Sequence, residues 1–191
     1  MRNFKTGMIP RFETERLLLR PFNLSDAAEV KRLAGEFEIA DTTLSIPHPY
    51  EDGMAEQWIG THGKNFTAGQ AVTFAVTERS AGRLAGAMSL IRIESGHQAE
   101  LGYWIGKPFW NRGFCSEAAK EVVKYAFSNL GVIRLYANHL SRNPASGRVL
   151  RKLGFLHEGS RRQHIKKWDK FEDDELYGLL KTDWLKQGAS A

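Results

Sequence analysis

Tyr103-Trp104-Ile105-Gly106-Lys107-Pro108-Phe109-Trp110-Asn111-Arg112-Gly113-Phe114-Cys115-Ser116-Glu117-Ala118-Ala119 is the stretch that decides the fold. Its first residues continue a strand pattern, and its middle carries turn-forming residues. From Ala119 the apolar positions Val122, Val123, Ala126 and Leu130 recur at helical spacing. The stretch reads as a strand, a tight loop and a helix start. Ser116 is the expected N-cap, with Glu117 near the positive helix end. A small-residue loop that opens a helix presents several main-chain N–H groups in one direction, a geometry that binds phosphate. An ordinary strand-to-helix turn has the same sequence appearance, so both readings stand at this level. No Gly-x-x-x-x-Gly-Lys-Ser/Thr and no Gly-x-Gly-x-x-Gly is present, so a P-loop and a dinucleotide fingerprint have no support.

Upstream, Arg16 to Pro21 reads as a first strand. Asn23-Leu24-Ser25-Asp26 opens a helix to about Ala34, with Val30 and Leu33 inward. Gly35 to Pro49 reads as irregular. A second helix is expected from Glu51 to Phe66, with Met54, Trp58, Ile59, His62 and Phe66 on one stripe. Strands follow at Ala71 to Thr77, Arg83 to Ile93 and Ala99 to Ile105, the first two joined by a turn at Ser80-Ala81-Gly82. Downstream, Gly131 stops the helix and Arg134 to Leu140 is a strand. A strand-helix-strand crossover makes it parallel to the 99–105 strand. Asn143-Pro144 then starts a helix with Val149, Leu150 and Leu153 inward, ended by Gly154. Phe155 to Ile165 and Asp174 to Leu180 form a hairpin, and the last residues are a short helix or a frayed end.

The order β-α-α-β-β-β-α-β-α-β-β predicts an α/β (α+β mixed) domain with a central, mostly antiparallel sheet. One parallel pair should splay, with helices on both faces. Ligands sit beyond the carboxyl ends of diverging parallel strands, here between 104–106 and 139–143. A single domain is expected over 14–185, with tails at 1–13 and 186–191. One cysteine among 191 residues excludes an internal disulfide and fits a reducing, cytoplasmic setting. No apolar run suits a membrane span, Met1 to Pro10 lacks an apolar leader core, and no Cys/His spacing suits a metal. The net charge of +5 suits a polyanionic ligand or an ordinary solvated surface.

Ala99-Glu100-Leu101-Gly102-Tyr103-Trp104-Ile105-Gly106, then Trp110-Asn111-Arg112-Gly113-Phe114-Cys115-Ser116-Glu117-Ala118, then Asn143-Pro144-Ala145-Ser146 leading to Leu153-Gly154-Phe155, occur in this order and spacing. In them the chain resembles the GNAT N-acetyltransferases, and among these the RimJ/RimL-like branch that acetylates N-terminal amines of ribosomal proteins. The resemblance covers about Thr14 to Leu180. It implies the GNAT fold, acetyl-CoA as cosubstrate, no metal, and direct attack of an amine on the thioester.

The same resemblance assigns the cofactor-binding residues. Trp104, Ile105 and Gly106 would pair their main chain with the pantetheine arm. Arg112, Gly113, Phe114, Cys115, Ser116 and Glu117 would cover the pyrophosphate, and Asn143 would touch the pantetheine or thioester side. The family's loop, Arg/Gln-x-x-Gly-x-Gly/Ala, keeps Gly113 here but has Trp110 in its first slot and Cys115 in its last. Many members carry a tyrosine acid where this chain has Leu150, so that acid is missing. The catalytic candidates are Glu100, as base or water anchor, and Ser146, as donor to the leaving thiolate; His139 is a second candidate base. The main-chain N–H of residue 105 would face the oxyanion.

The acceptor is expected to be a protein N-terminal α-amine. The alternative is a small amine such as a polyamine, an aminoglycoside or an amino-acid derivative. Asp41, Glu51, Asp52 and Glu56 would attract a cation or simply be exposed charges. From another class stands a non-catalytic acyl-CoA or RNA-binding module. Arg161, Arg162, His164, Lys166, Lys167 and Lys170 around Trp168 form a basic aromatic strip, though a mixed-charge hairpin is the commoner meaning. No specific nucleic-acid partner and no membrane partner are expected; a homodimer is compatible with the sequence.

Overall fold

The computed structural model describes residues 8–188. In chain order the strands are β1 (Phe12–Glu13), β2 (Leu17–Arg20), β3 (Val72–Glu78), β4 (Leu84–Ile91), β5 (Gln98–Ile105), β6 (Arg134–Leu140), β7 (Leu156–Lys167) and β8 (Lys170–Leu180). The helices are α1 (Ala27–Ala34), α2 (Phe37–Thr42), α3 (Met54–Thr67), α4 (Phe114–Tyr125), α5 (Pro144–Lys152) and α6 (Lys181–Gly188). All eight strands form one sheet in the order β1-β2-β3-β4-β5-β6-β8-β7. Among the described residues only the β5–β6 pair is parallel.

β3 is buried at all seven positions, because helices cover both of its faces. Register separates those faces. Phe74, Met88 and Tyr103 lie side by side across β3, β4 and β5. Phe74 packs edge-on against Tyr125 of α4, and Tyr103 reaches Ser146 of α5. Thr73, Ser89 and Gly102 share the opposite face, which α1 and α3 cover. Each helix is amphipathic for this reason; α1, for example, buries Ala27, Val30, Leu33 and Ala34.

Several boundaries differ from the sequence reading. Phe37–Thr42 forms a six-residue helix inside the stretch read as irregular; six residues are too few for a periodic signal. The sheet already includes Phe12 and Glu13, and α6 runs to Gly188. Residues 1–7 and 189–191 of the expected tails lie outside the described residues. β8 begins at Lys170, four positions before the expected Asp174. The hairpin closes on the two residues Trp168-Asp169, and Trp168 takes the positive φ (52°) that such a turn requires.

Candidate active site

The parallel strands pair over only three positions, Gln98↔Arg134, Ala99↔Leu135 and Glu100↔Tyr136. Beyond them the strands part, and a cleft of about 1110 Å³ occupies the seam. Trp104, Ile105, His139 and Asn143 line it. One side opens beneath α4 and α5, with Gly113, Phe114, Cys115, Ser116 and Ser146. The other opens beneath α3, with Trp58, Thr61, Asn65, Ser89 and Glu100.

The main chain of β5 is turned toward this seam. Gly106 N–H donates to Ala85 C=O at 2.8 Å. Antiparallel alternation then directs the main-chain groups of Trp104 to β4 and those of Tyr103 and Ile105 to the seam. The Ile105 carbonyl accepts from the Trp110 indole at 2.5 Å. Trp110, in the slot where the family pattern has Arg or Gln, thus ties the loop back onto the strand end. Gly106 does not line the cleft; a Cβ there would sit 2.7 Å from Leu33 Cδ2, so its role is close packing on α1.

The helix start differs from expectation in one respect. Gly113, not Ser116, occupies the N-cap position of α4, and its φ of 77° lies in the left-handed region that glycine adopts without a Cβ penalty. Asn111 also has positive φ (58°). The first intrahelical bond is Glu117 N–H to Gly113 C=O at 3.0 Å. The N–H groups of Phe114, Cys115 and Ser116 precede it and belong to residues that line the cleft. Three N–H donors at a helix mouth, beside a strand edge with main chain turned inward, fit a diphosphate joined to an extended amide-bearing arm.

Arg112 and Glu117 shape this loop with side chains that do not line the cleft. Arg112 donates to Glu78 at 2.7 Å and lies over Phe114, 4.4 Å from the ring centroid. Glu117 accepts from Thr14 Oγ1 (2.6 Å), Arg16 N–H (2.9 Å) and Arg16 Nε (2.7 Å), while Arg16 also reaches the Arg112 carbonyl at 2.9 Å. Burial alone would raise both carboxyls. Arg83 and Arg112 outweigh it at Glu78, and Thr14 and Arg16 at Glu117, so both stay below the usual carboxylate range. Cys115 is a neutral thiol: burial pushes it up to about 12, which removes it as a nucleophile near neutral pH.

Glu100 is 7 % exposed and lies at the last paired rung, where the seam begins to open toward α3. Arg92 pairs with its Oε2. Ser146 lies across the seam on α5, and its Oγ is 2.7 Å from the Tyr103 hydroxyl. Leu150, in place of the family's tyrosine, is fully buried. His139 is buried, with Nδ1 2.8 Å from the Leu140 carbonyl; a carbonyl only accepts, so Nδ1 carries the proton. Its Nε2 has no hydrogen-bond partner among the described residues and faces Gly147, where an added Cβ would lie 2.8 Å away. Asn143 is the N-cap of α5, accepting from Ser146 N–H at 3.3 Å and donating to the Thr42 carbonyl at 3.3 Å.

The α3 side carries little charge. Among the described lining residues Glu100 is the only carboxylate. None of Asp41, Glu51, Asp52 and Glu56 lines the cleft; Asp41 pairs with Arg142 (2.6 Å) and Asp52 with Lys31 (2.5 Å). Arg142 also holds Glu172 at 3.0 Å, so α2, the β6–α5 turn and β8 are strapped together at the cleft mouth. Trp168 stacks on Phe37, ring centroids 5.4 Å apart. His62 is buried against Trp58 and Phe22, neither ring nitrogen has a hydrogen-bond partner among the described residues, and burial pushes it down to about 4. Among the described residues no helix is long and apolar enough to cross a membrane.

Comparison with known proteins agrees with this geometry. The chain is 30% identical over 175 residues to the uncharacterized N-acetyltransferase YoaA of Bacillus subtilis (strain 168), covering 91% of this chain and 98% of YoaA. It is 26% identical over 180 residues to the [ribosomal protein uS5]-alanine N-acetyltransferase of Escherichia coli (strain K12), covering 91% and 92%. The crystal structure of spermidine N-acetyltransferase from Vibrio cholerae, in complex with CoA and spermine, shares the fold: TM-score 0.78, 20% identity, 90% of this chain and 99% of that one. Residues 16–156 match the family described as acetyltransferase (GNAT) domain, and the chain belongs to that family.

Proposed function

We propose that this N-acetyltransferase transfers acetyl from acetyl-CoA to the α-amine of a peptide N-terminus, by direct attack of the amine on the thioester. The observation that carries the choice of acceptor is the cleft's single, already paired carboxylate. A polyamine brings several ammonium groups, and burying them without counter-charges is costly. A peptide N-terminus brings one amine and a run of amides, which Thr61, Asn65, Thr73 and Ser89 are suited to bond. The similarity to an enzyme named for ribosomal protein uS5 alanine points the same way.

Proton accounting supports it. An α-amine with a pKa of about 7.8 is roughly one-seventh neutral at pH 7, a cost of about 1.1 kcal/mol. An alkyl amine near 10.4 costs about 4.6 kcal/mol. Glu100, with one oxygen held by Arg92, suits the lighter task of ordering a water that accepts the α-ammonium proton. Phe114, Cys115 and Ser116 would hold the diphosphate through their N–H groups, and Tyr103 and Ile105 the pantetheine arm. Ile105 N–H would face the thioester oxygen as it gains charge, and Ser146 the sulfur. The bound thioester supplies the activated acetyl group.

Thiol release from acetyl-CoA, measured against N-terminal peptides, polyamines and aminoglycosides, tests this reading. N-terminal peptides should give the highest kcat/KM. Turnover confined to polyamines or aminoglycosides would overturn the choice of acceptor.

A further inference from the structure

We propose that Tyr103 is a positioning residue for acyl transfer: its phenol donates to Ser146 Oγ and so fixes the Ser146 proton toward the departing sulfur. The inference rests on the acyl-transfer reading and on Ser146 facing the thioester.

Tyr103 leaves β5 on the α5 side of the sheet, and its hydroxyl meets Ser146 twice: Oγ at 2.7 Å and the carbonyl at 3.4 Å. The shorter contact is a full hydrogen bond and the longer a marginal one. Either hydroxyl can donate across 2.7 Å, and the surroundings decide which does. Burial pushes the Tyr103 phenol well above its usual range, so it keeps its proton. Tyr103 is half-buried and lines the cleft, and the well-placed acceptor for its phenol proton is Ser146 Oγ at 2.7 Å. Ser146 is half-buried and lines the cleft, so its own proton is free to point at a ligand. Without the phenol the serine hydroxyl rotates among its staggered positions. Cys115 beside the pair is uncharged and does not compete for the proton.

The bonds balance without either residue ending charged. The amine nitrogen bonds to the acetyl carbon and gives up one proton. The carbon–sulfur bond breaks, and the sulfur leaves with its electron pair and takes up one proton. A serine alkoxide is a far stronger base than a thiolate, so Ser146 stabilises the sulfur by a hydrogen bond and keeps its proton, as does Tyr103. The phenol thus enters from the strand, where the helix position Leu150 offers only an apolar side chain.

The test is a double-mutant cycle of Tyr103→Phe and Ser146→Ala, read as thiol release with the best peptide acceptor. Tyr103→Phe removes one oxygen and should leave the melting temperature within a few degrees of the parent. Its kcat should fall about tenfold, the weight of one hydrogen bond, with the KM for acetyl-CoA within about twofold. Ser146→Ala should lose at least as much, and the double variant no more than Ser146→Ala alone. Full activity of Tyr103→Phe, losses that multiply in the double variant, or a change confined to the KM for acetyl-CoA would each overturn the proposal. A parent chain that releases no thiol with any amine overturns the acyl-transfer reading itself, before Tyr103 is touched.

Discussion

The two sides of the cleft are built in opposite ways. On the proposed reading, the groups offered to the cosubstrate beneath α4 are main-chain ones, those of Tyr103, Ile105 and Phe114 to Ser116, while side chains such as Arg112, Glu117 and Trp110 hold the backbone in shape. Beneath α3 the lining is side chain: Trp58, Thr61, Asn65, Glu100 and His62. A surface made of backbone tolerates many sequences, provided the loop keeps its conformation. A surface made of side chains changes with every substitution. The first kind suits a cosubstrate common to a family, and the second an acceptor that differs among its members.

Three substitutions sharpen or break that contrast. Glu100→Gln keeps the shape but removes the charge where the two sides meet; kcat should fall about a hundredfold, with the KM for acetyl-CoA little changed. Unchanged turnover would remove Glu100 from the chemistry. Gly113→Ala acts on the backbone side alone. A Cβ at φ 77° costs about 1–2 kcal/mol and shifts the helix mouth. The KM for acetyl-CoA should rise about tenfold while the KM for the peptide stays near the parent value. A comparable rise in both would show that the two sides are not independent.

The third effect concerns stability rather than turnover. His62 titrates at about 4 in the folded chain and near 6.5 when unfolded. The folded state therefore binds fewer protons between these values, and unfolding is favoured as pH falls. His62 should cost nothing above about pH 7 and about 3 kcal/mol by pH 4. His62→Phe should flatten denaturant-derived stability between pH 6.5 and 4.5; a slope equal to the parent's would assign the acid sensitivity to other groups.

The backbone side was also the side legible in the sequence, because its parts are contiguous. Strand, loop and helix follow within Tyr103 to Ala118, and Asn143-Pro144 announces the second helix. Even there the helix start was misplaced. Ser116 is a good cap by type, yet Gly113 takes that position, while Phe114 is buried beneath the guanidiniums of Arg16 and Arg112. Arg16 lies about a hundred positions from Glu117, and no local pattern links them. The same holds for Arg142 with Asp41, whereas Arg92 lies only eight positions from Glu100, across the β4–β5 turn. Tyr103 stood in the deciding stretch from the start, but a strand pattern says which face a side chain takes, not which hydroxyl it meets.

The three-rung pairing of β5 with β6 has a consequence for the unliganded molecule. A sheet whose central ladder stops early leaves inward amides at Tyr103 and Ile105 without the strand that would normally shield them. Anything extended and amide-bearing that enters there completes the ladder, so binding and the finishing of the fold become one event. On the proposed reading, the folded chain is a sheet short of one strand, and the pantetheine arm of acetyl-CoA would be the missing piece.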